Sequence, residues 1–427
     1  MSQSGTGICR HRNRFFTLTS IVLLALSRLS YAEAPPQSAN GFSFSETVVA
    51  GGPNDFITVR HVRLNGSQRE IGKKLGEIAK QRHGVVLPKP EPAILRARQE
   101  FYRRNYPMHL DRGAGVADAF GLPFPQTDSD TLMLWFNMEP PVACSTVFYP
   151  GAYTESGHVT LSRNYDFTTG TFAELLGGKP PVGVRRMNAD AYVMEVYPDK
   201  GIPSLYVCAY DLLSGAMDGI NAAGLTVALL ADGEAARGTD RLMTVQPGLN
   251  QLELPRFLLE TCSNVDEAKV ALMAAKQYYL FIPAHFIIGD RSGQSFVWEY
   301  GPAHNREYVT EGGGKPQIVT NHSLYPYKSF RDFPRSDSVG STYGRYIRMQ
   351  NSIEKAAGKC TLADIKSTND RVRALDSADS GHPERTLWHA LYDCQDVTLD
   401  VDFYLGEPPS SGEPERRSGY LKFRLTK

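Results

Sequence analysis

The alternation of apolar and polar residues divides the chain into an N-terminal part with helical spacing and a longer part with strand spacing. The stretch 33–55 is small and polar and predicts an irregular lead-in. Ser67 and Glu70 form a capping-box pattern ahead of apolar residues at helical spacing, which predicts a helix. Further helices are predicted at 90–105 and at 129–138.

After residue 143, short apolar runs bounded by turn residues predict strands. The first two, 144–149 and 158–167, flank Pro-Gly and Ser-Gly dipeptides and predict a hairpin. Further strands are predicted at 191–197, 204–210, 225–230, 285–288, 295–300, 306–310, 317–320, 386–393, 397–405 and 420–425. Helices are predicted at 254–261, in the next segment with Ser263 as its cap, at 343–356 and at 362–374.

Strands, then helices, then strands again, without regular alternation, favour an α+β fold over a doubly wound parallel sheet. The 427 residues are enough for a large core. The simplest partition is one catalytic unit, 144–427, preceded by a helical segment, 33–143.

The first residues have the pattern of a secretory signal. Arginines within 10–14 precede an apolar run at 15–26, and small residues follow at Ser30 and Ala32. This pattern predicts a signal peptide, 1–32, cleaved after Ala32. The apolar run is too short for a stable membrane span. We therefore expect a secreted or periplasmic protein.

The charge balance and the cysteines limit the kinds of partner and cofactor to be expected. The chain has 46 basic and 46 acidic residues, so its charge favours neither a nucleic acid nor an anionic membrane as a partner. Five cysteines remain after the signal peptide, an odd number that leaves one unpaired or bonded to another chain in an oxidising compartment. Their spacing is not that of zinc ligands, and we expect neither a metal nor an organic cofactor.

Cys144 is the first candidate for chemistry. A cysteine at the head of a strand is most often a buried core residue or half of a disulfide. The neighbouring antiparallel strand, however, carries Arg163 and Asp166, and strand pairing brings such residues within about 5 Å. A charged pair in an apolar strand region needs partners. A structural ion pair and a nucleophile with its helpers explain this pattern equally well.

Two asparagines and an arginine extend the set. Asn221 lies at the tip of a predicted turn, 218–225, and Asn321 lies just past a predicted strand. Asparagine is common in turns for its backbone tolerance, but its amide can also stabilise an oxyanion. Arg345 lies in the first turns of a predicted helix, where a solvated arginine is the ordinary case.

These stretches, in this order and spacing, resemble the N-terminal-nucleophile (Ntn) hydrolases. The nearest branches are the acyl-CoA:6-aminopenicillanic acid acyltransferases and the choloylglycine hydrolases with penicillin V acylases. The motifs are Cys-Ser-Thr at 144–146, Arg-Asn-Tyr-Asp-Phe at 163–167, Gly-Ile-Asn-Ala-Ala-Gly-Leu at 219–225 and Val-Thr-Asn-His at 319–322. The stretches 64–72 and 385–393 also resemble the acyltransferase branch.

The resemblance implies a four-layer αββα sandwich and a precursor that cuts itself before Cys144. The freed α-amino group would then act as the base for its own thiol. Asp166 would orient that amine, and Asn321 would donate to the oxyanion, assisted by a backbone N–H near Asn221 or by its side chain.

The two arginines follow the choloylglycine pattern. Arg163 matches the arginine that this branch has near the thiol, where the acyltransferase branch has a glutamine. Arg345 matches the arginine that follows a serine-rich turn in the choloylglycine branch. Arg385 is the second choice for that role.

The expected function is an exported, self-processing hydrolase that cleaves a linear amide bond of a small molecule through a thioester on Cys144. We expect the fragment 33–143 to remain bound as a small subunit, and the pattern is compatible with a homo-oligomer. One alternative is an acyltransferase that passes the acyl group to an amine. Another is a secreted binding protein with the same fold and no catalysis.

Overall fold

The structure is a computed structural model that describes residues 41–136, 143–175, 178–179, 186–236, 244–280, 283–301, 306–334, 341–356, 358–375, 384–408, 410 and 413–426. All of them belong to one unit, Gln37–Lys427. The predicted signal peptide, 1–32, lies outside these residues, as does the stretch 137–142. Among the described residues, no helix combines the length and the apolar character needed to cross a bilayer.

The helices of the described residues lie in four groups along the chain. They are α1 (Gln68–His83), α2 (Pro92–Asn105), α3 (Pro107–Phe120), α4 (Phe172–Leu175), α5 (Glu253–Thr261), α6 (Val265–Ala274), α7 (Thr342–Lys355) and α8 (Leu362–Asp370). The predicted capping box of α1 is confirmed, because Ser67 and Glu70 exchange both hydrogen bonds. The predicted cap of α6 is wrong by one residue: Asn264, and not Ser263, accepts the N–H of Glu267.

A nine-stranded sheet forms one half of the core. Its order is β1-β2-β5-β6-β7-β8-β9-β10-β11, and every pair is antiparallel except β2 with β5. The strands are β1 (Ser43–Ala50), β2 (Thr58–Gly66), β5 (Asp190–Pro198), β6 (Ser204–Cys208), β7 (Ala216–Asn221), β8 (Thr226–Ala231), β9 (Ala284–Gly289), β10 (Ser295–Gly301) and β11 (Arg306–Glu311).

A seven-stranded sheet forms the other half. Its order is β12-β3-β4-β13-β14-β15, with β16 also paired to β14. The strands are β3 (Ala143–Tyr149), β4 (Thr160–Thr168), β12 (Gln317–Val319), β13 (Glu384–Asp393), β14 (Thr398–Gly406), β15 (Arg416–Arg417) and β16 (Leu421–Arg424). The predicted hairpin is confirmed, since β3 and β4 pair antiparallel with Cys144 opposite Tyr165.

The two sheets face each other between layers of helices. Strand β3 packs against β8 of the other sheet, α5 and α6 lie on the nine-stranded sheet, and α7 and α8 lie on the seven-stranded sheet. This order of layers confirms the α+β class and the αββα sandwich. Cys144, on β3, therefore lies between the two sheets and is fully buried.

The prediction of an irregular lead-in at 33–55 was wrong for part of that range, because 43–50 is strand β1. Strand β1 lies at the edge of the nine-stranded sheet, and most of its side chains are exposed or half-buried. An edge strand with solvent on one side can be polar, and its composition then resembles that of a loop.

The predicted helix at 129–138 was also wrong: the described part, 129–136, is not helical. Leu132, Met133 and Leu134 are all fully buried, so no side of this run faces solvent. Its backbone bonds instead to other parts of the chain, with Leu134 N donating to Asp211 Oδ1 at 3.0 Å. A short apolar run that is buried on every side cannot be distinguished from a helix by periodicity alone.

Candidate active site

The thiol of Cys144 lies beside a buried arginine. Strand pairing places Arg163 on β4 opposite Thr146, two residues from Cys144, and its Nη2 lies 3.4 Å from Cys144 Sγ. Both side chains are fully buried. Burial raises the pKa of the Cys144 thiol and Asp166 adds to the rise, while the positive charge of Arg163 opposes it. The net shift of the pKa is upward, so the thiol is neutral near pH 7.

Arg163 is itself held by an acidic residue that the sequence analysis did not select. Its Nη1 forms an ion pair with Asp218 on β7, and its Nη2 donates to the carbonyl of Leu229 at 2.6 Å. Asp218 also accepts hydrogen bonds from Trp388 Nε1 at 3.1 Å and from Tyr392 OH at 2.5 Å. A lone aspartate ahead of an apolar strand was the only signal of this role. The ion pair joins the two sheets directly behind the thiol.

The backbone of Cys144 is contacted from the other side by Asn321 and Arg345. Cys144 N donates to Asn321 Oδ1 at 2.7 Å, and Arg345 Nη1 donates to the carbonyl of Cys144 at 2.6 Å. Arg345 Nη2 also donates to Asn321 Oδ1, at 2.8 Å. Because that oxygen accepts two N–H donors, the other atom of the amide is its nitrogen, which donates one of its two N–H groups to the carbonyl of Ala231 at 2.8 Å.

Asp166 has one oxygen satisfied and one without a hydrogen bond. Thr386 donates to its Oδ1 at 2.5 Å, whereas the buried Oδ2 has no hydrogen-bond partner and lies 3.7 Å from Arg345 Nη1. In the strand pairing, Asp166 lies opposite Ala143, the residue before the cysteine. Burial raises the pKa of Asp166, and the positive charge of Arg345 opposes that rise. An orphaned carboxylate oxygen at this position is suited to receive an ammonium group.

The structure gives Asn221 a different role from the one predicted. It is the last residue of β7 and not the tip of a turn. Its amide nitrogen donates to the carbonyls of Leu259 and Cys262, at 2.9 and 2.7 Å. Its Oδ1 accepts the N–H groups of Ala223 and Leu225, at 3.0 Å each. With both amide hydrogens donated, the side chain of Asn221 joins the β7–β8 connection to α5 and cannot serve an oxyanion.

The choice between the two arginines is decided by their partners. Arg345 contacts both Cys144 and Asn321, whereas Arg385 forms an ion pair with Glu407 at 2.8 Å. Five of the six predicted residues therefore form one buried cluster around Cys144, and Asn221 is outside it. None of the five described cysteines is disulfide-bonded, Cys144 included.

The site can be compared with known proteins. A family profile described as acyl-coenzyme A:6-aminopenicillanic acid acyl-transferase matches residues 153–409. Among solved structures, two variants of conjugated bile acid hydrolase from Clostridium perfringens are each 14% identical to the chain, with TM-scores of 0.43. Their alignments cover 66% of this chain and 92% and 98% of theirs.

Penicillin V acylase from Agrobacterium tumefaciens is 16% identical, with a TM-score of 0.41, and its alignment covers 61% of this chain and 83% of the acylase. No protein of curated function matches the sequence. The family match includes four of the clustered residues, Arg163, Asp166, Asn321 and Arg345, and begins just after Cys144.

Proposed function

The chain belongs to the acyl-coenzyme A:6-aminopenicillanic acid acyl-transferase family, and from this membership we propose that it cuts itself before Cys144 and then cleaves a linear amide bond. One observation carries the proposal: every polar group of Cys144 has a specific partner. The thiol lies 3.4 Å from Arg163, the N–H donates to Asn321 and the carbonyl accepts from Arg345. Such a set is typical of a nucleophile whose terminal amine takes part in the reaction.

The self-cleavage step uses the thiol and the peptide bond next to it. Cys144 Sγ attacks the carbonyl carbon of Ala143, the C–N bond breaks, and the nitrogen of Cys144 takes a proton and becomes an amine. Water then hydrolyses the thioester, which leaves Ala143 with a carboxylate and Cys144 with a free thiol. The Oδ2 of Asp166, which accepts no hydrogen bond, is the proposed acceptor for the new ammonium group.

In the processed enzyme the α-amino group of Cys144 acts as the general base, so no catalytic histidine is needed. An α-amino group has an ordinary pKa of about 7.7–8.0, so near neutral pH it can take the thiol proton. The thiolate attacks the substrate amide and forms a thioester, the proton passes to the leaving amine, and water releases the acid. Asn321 donates one N–H to Ala231 and keeps a second N–H for the oxyanion.

The fragment 33–143 is proposed to stay bound after the cut. In its described part, β2 pairs in parallel with β5 of the nine-stranded sheet along its whole length. Arg112, on α3, forms an ion pair with Glu260, on α5, and both side chains are buried. Arg98, on α2, likewise contacts Glu253, on α5, at 3.4 Å. Cleavage of one peptide bond removes none of these contacts.

Export through a signal peptide, 1–32, to the periplasm or the medium is part of the same proposal. Its basis is the sequence pattern at 10–32, which precedes the described residues. A free thiol on Cys144 is compatible with an oxidising compartment because that thiol is fully buried in the uncut chain.

Acyl transfer is the second candidate, and the family membership itself favours it. The thioester is common to both reactions, and they differ only in whether water or an amine resolves it. Analysis of the products with a competing amine present distinguishes them: a new acyl-amine product shows transfer, and free acid alone shows hydrolysis. A binding protein without catalysis is less well supported, because Cys144 is unpaired and its polar partners are in place.

Mass spectrometry and one substitution test the proposal. The purified protein should separate, on denaturation, into two chains with Cys144 as the N-terminus of the larger one. Cys144→Ala should remain a single chain and hydrolyse none of a set of acyl-4-nitroanilides with different acyl groups. A fully active single chain, or activity in Cys144→Ala, would refute the mechanism.

A further inference from the structure

A second buried cluster lies next to the turn that carries Asn321. It consists of His285 on β9, Glu299 on β10 and Asp232 at the end of β8, and all three side chains are almost inaccessible to solvent. His285 Nδ1 lies 3.2 Å from Glu299 Oε1 and 3.8 Å from Asp232 Oδ2. These three residues, which we term the histidine–carboxylate cluster, have no part in the chemistry derived so far.

Both ring nitrogens of His285 face acceptors. Nε2 lies 2.7 Å from the carbonyl oxygen of Thr320, and Nδ1 faces the carboxyl groups of Glu299 and Asp232. A carbonyl oxygen cannot donate, so Nε2 carries a proton, and a proton on Nδ1 is needed to bond to Glu299. Burial by itself lowers the pKa of His285, but Glu299, Asp232 and the Thr320 carbonyl outweigh it, so the net pKa is raised. The hydrogen-bond geometry therefore favours a ring that is protonated on both nitrogens.

The cluster binds the turn that carries Asn321, residues 320–325. Glu299 accepts the backbone N–H groups of Leu324 and Tyr325, at 2.6 and 2.8 Å. Asp232 accepts the hydroxyl of Ser323 at 2.5 Å. His285 bonds to the carbonyl of Thr320, just before Asn321, and the two carboxyl groups bond to residues 323–325, just after it. A positive charge on His285 attracts both carboxylates and so links the contacts on the two sides of Asn321.

The same cluster also places the partner of the Asn321 amide. The carbonyl that accepts from Asn321 Nδ2 belongs to Ala231, directly before Asp232. Asp232 N donates to the carbonyl of Pro283, two residues before His285, and Gly233 N donates to the carbonyl of Asn321 at 3.1 Å. The backbone and the side chain of Asn321 are thus both fixed from this side.

We propose that His285 is a positioning residue: as an imidazolium joining Glu299, Asp232 and the Thr320 carbonyl, it holds Asn321 in the orientation that serves Cys144 and the oxyanion. The effect of His285 on the rate presupposes the proposed function, whereas the charge of its ring does not. Effective catalysis needs reacting groups held in place, and a misplacement of about 1 Å can cost on the order of a hundredfold in rate.

The spacing of the three side chains would also suit a cation. However, Glu299 Oε1, Asp232 Oδ2 and His285 Nδ1 each already take part in a hydrogen bond or ion pair, with Leu324, Ser323 and Glu299. The positive charge of the imidazolium already offsets the two carboxyl groups. Metal analysis of the purified protein decides this point, and a stoichiometric divalent cation would overturn the proposal.

The charge of His285 can be read without any turnover. In the processed protein labelled with ¹⁵N-histidine, the resonances of His285 are identified by their loss in His285→Gln. The proposal expects both ring nitrogens to have protonated shifts at pH 7. The shifts of a neutral tautomer would refute it, whatever the outcome of the cleavage experiments.

Kinetics test whether that charge positions Asn321. His285→Gln should lower kcat on an acyl-4-nitroanilide by about 10- to 100-fold with KM changed by less than about threefold, since binding contacts remain while orientation is lost. The control is His389→Gln, which removes another buried histidine, one bonded to Ser162 and Tyr420 on the outer side of β13. An equal loss of kcat in the two variants would show that the effect is structural.

The pH dependence of kcat provides a second test of the role of His285. The charged and titratable groups around His285 are Glu299, Asp232 and His322. The pKa of His322 is lowered to about 3 by burial and by the charges of His285 and Arg345, so this side chain is neutral. Tyr279 also lies within the electric field of both carboxyl groups. Glu299→Gln removes one negative charge, so the alkaline fall in kcat should move to lower pH than in the wild type. An unchanged alkaline limb would contradict the role of the imidazolium.

Discussion

Arg345 and Arg385 are the residues whose roles the sequence left undecided, and the two have different partners. Arg345 donates to the carbonyl of Cys144 and to Asn321, at 2.6 and 2.8 Å. Arg385 pairs with Glu407, whose side chain is about half exposed. One arginine therefore contacts the residues of the candidate site, and the other forms an ion pair near the start of β13.

This difference predicts unequal effects of the same substitution. Arg345→Gln should slow self-cleavage by about 100-fold, because Arg345 holds the backbone carbonyl of Cys144 and the amide of Asn321, and misplacing a reacting group by about 1 Å can cost that much in rate. Arg385→Gln should change the rate by less than about threefold, because its ion pair is partly solvated. Pulse labelling followed by gel separation of the cut and uncut chains measures both rates. Equal rates in the two variants would contradict the assignment.

At the level of secondary structure, the two proposed fragments are joined by a single peptide bond but also by extensive non-covalent contacts. The proposed cut breaks one peptide bond, while β2 stays paired with β5 and α3 stays attached to α5. Arg112 Nη2 lies 2.9 Å from Glu260 Oε2, and Tyr106 also bonds to this carboxyl group. The pKa of Glu260, which burial would raise, is lowered to about 2 by Arg112 and Arg256. The fragment thus contributes a charge that a buried carboxylate requires.

Removing that charge should weaken the association of the two fragments. Arg112→Met leaves a buried carboxylate short of a partner, which costs about 3–5 kcal/mol. We expect a lower urea midpoint, and free fragment in native mass spectra at denaturant concentrations that leave the wild type intact.

The matched control lies in the same fragment. Arg69, on α1, pairs with Asp118, and both side chains are exposed to solvent. Arg69→Met should leave the urea midpoint close to that of the wild type, because exposed pairs contribute little. If both variants released the fragment equally, the buried ion pair would not be what retains it.

At the level of the whole molecule, the buried histidines give stability opposite dependences on pH. Burial lowers the pKa of His389 to about 3, and Arg417, Arg373 and Lys366 contribute. A histidine whose pKa is lower in the folded state takes up its proton on unfolding. Its contribution to stability is therefore lost as pH falls from about 6.5 to about 3, by about 1.4 kcal/mol per pH unit. His285, whose pKa is raised, contributes below about pH 6.5 and loses its contribution as pH rises.

The two glutamine variants should show this contrast. The difference in unfolding free energy between the wild type and His389→Gln should shrink as the pH falls from 6.5. The difference between the wild type and His285→Gln should shrink as the pH rises. Urea unfolding over a range of pH measures both trends. If the two differences changed in the same direction, one of the two histidines would have the wrong charge assigned.

The overall fold was easier to predict from the sequence than two of its segments. Helix α1 and the β3–β4 hairpin were predicted because a capping box and turn dipeptides are local signals, readable within about ten residues. Strand β1 and the stretch 129–136 were misread because their character depends on what covers them. One is a polar strand at a sheet edge, and the other is an apolar run enclosed on every side.

The sequence by itself determined the order of the motifs, the α+β class and the identity of Cys144, Arg163, Asp166 and Asn321 as a group. Only the tertiary structure decided which arginine reaches the cysteine, that Asp218 supports Arg163, and that the side chain of Asn221 bonds to α5. Each of these contacts joins residues far apart in the chain: the first joins α7 to β3, the second joins β4 to β7 across the two sheets, and the third joins β7 to α5. Such partners are set by how the sheets and loops pack, and no local pattern encodes them.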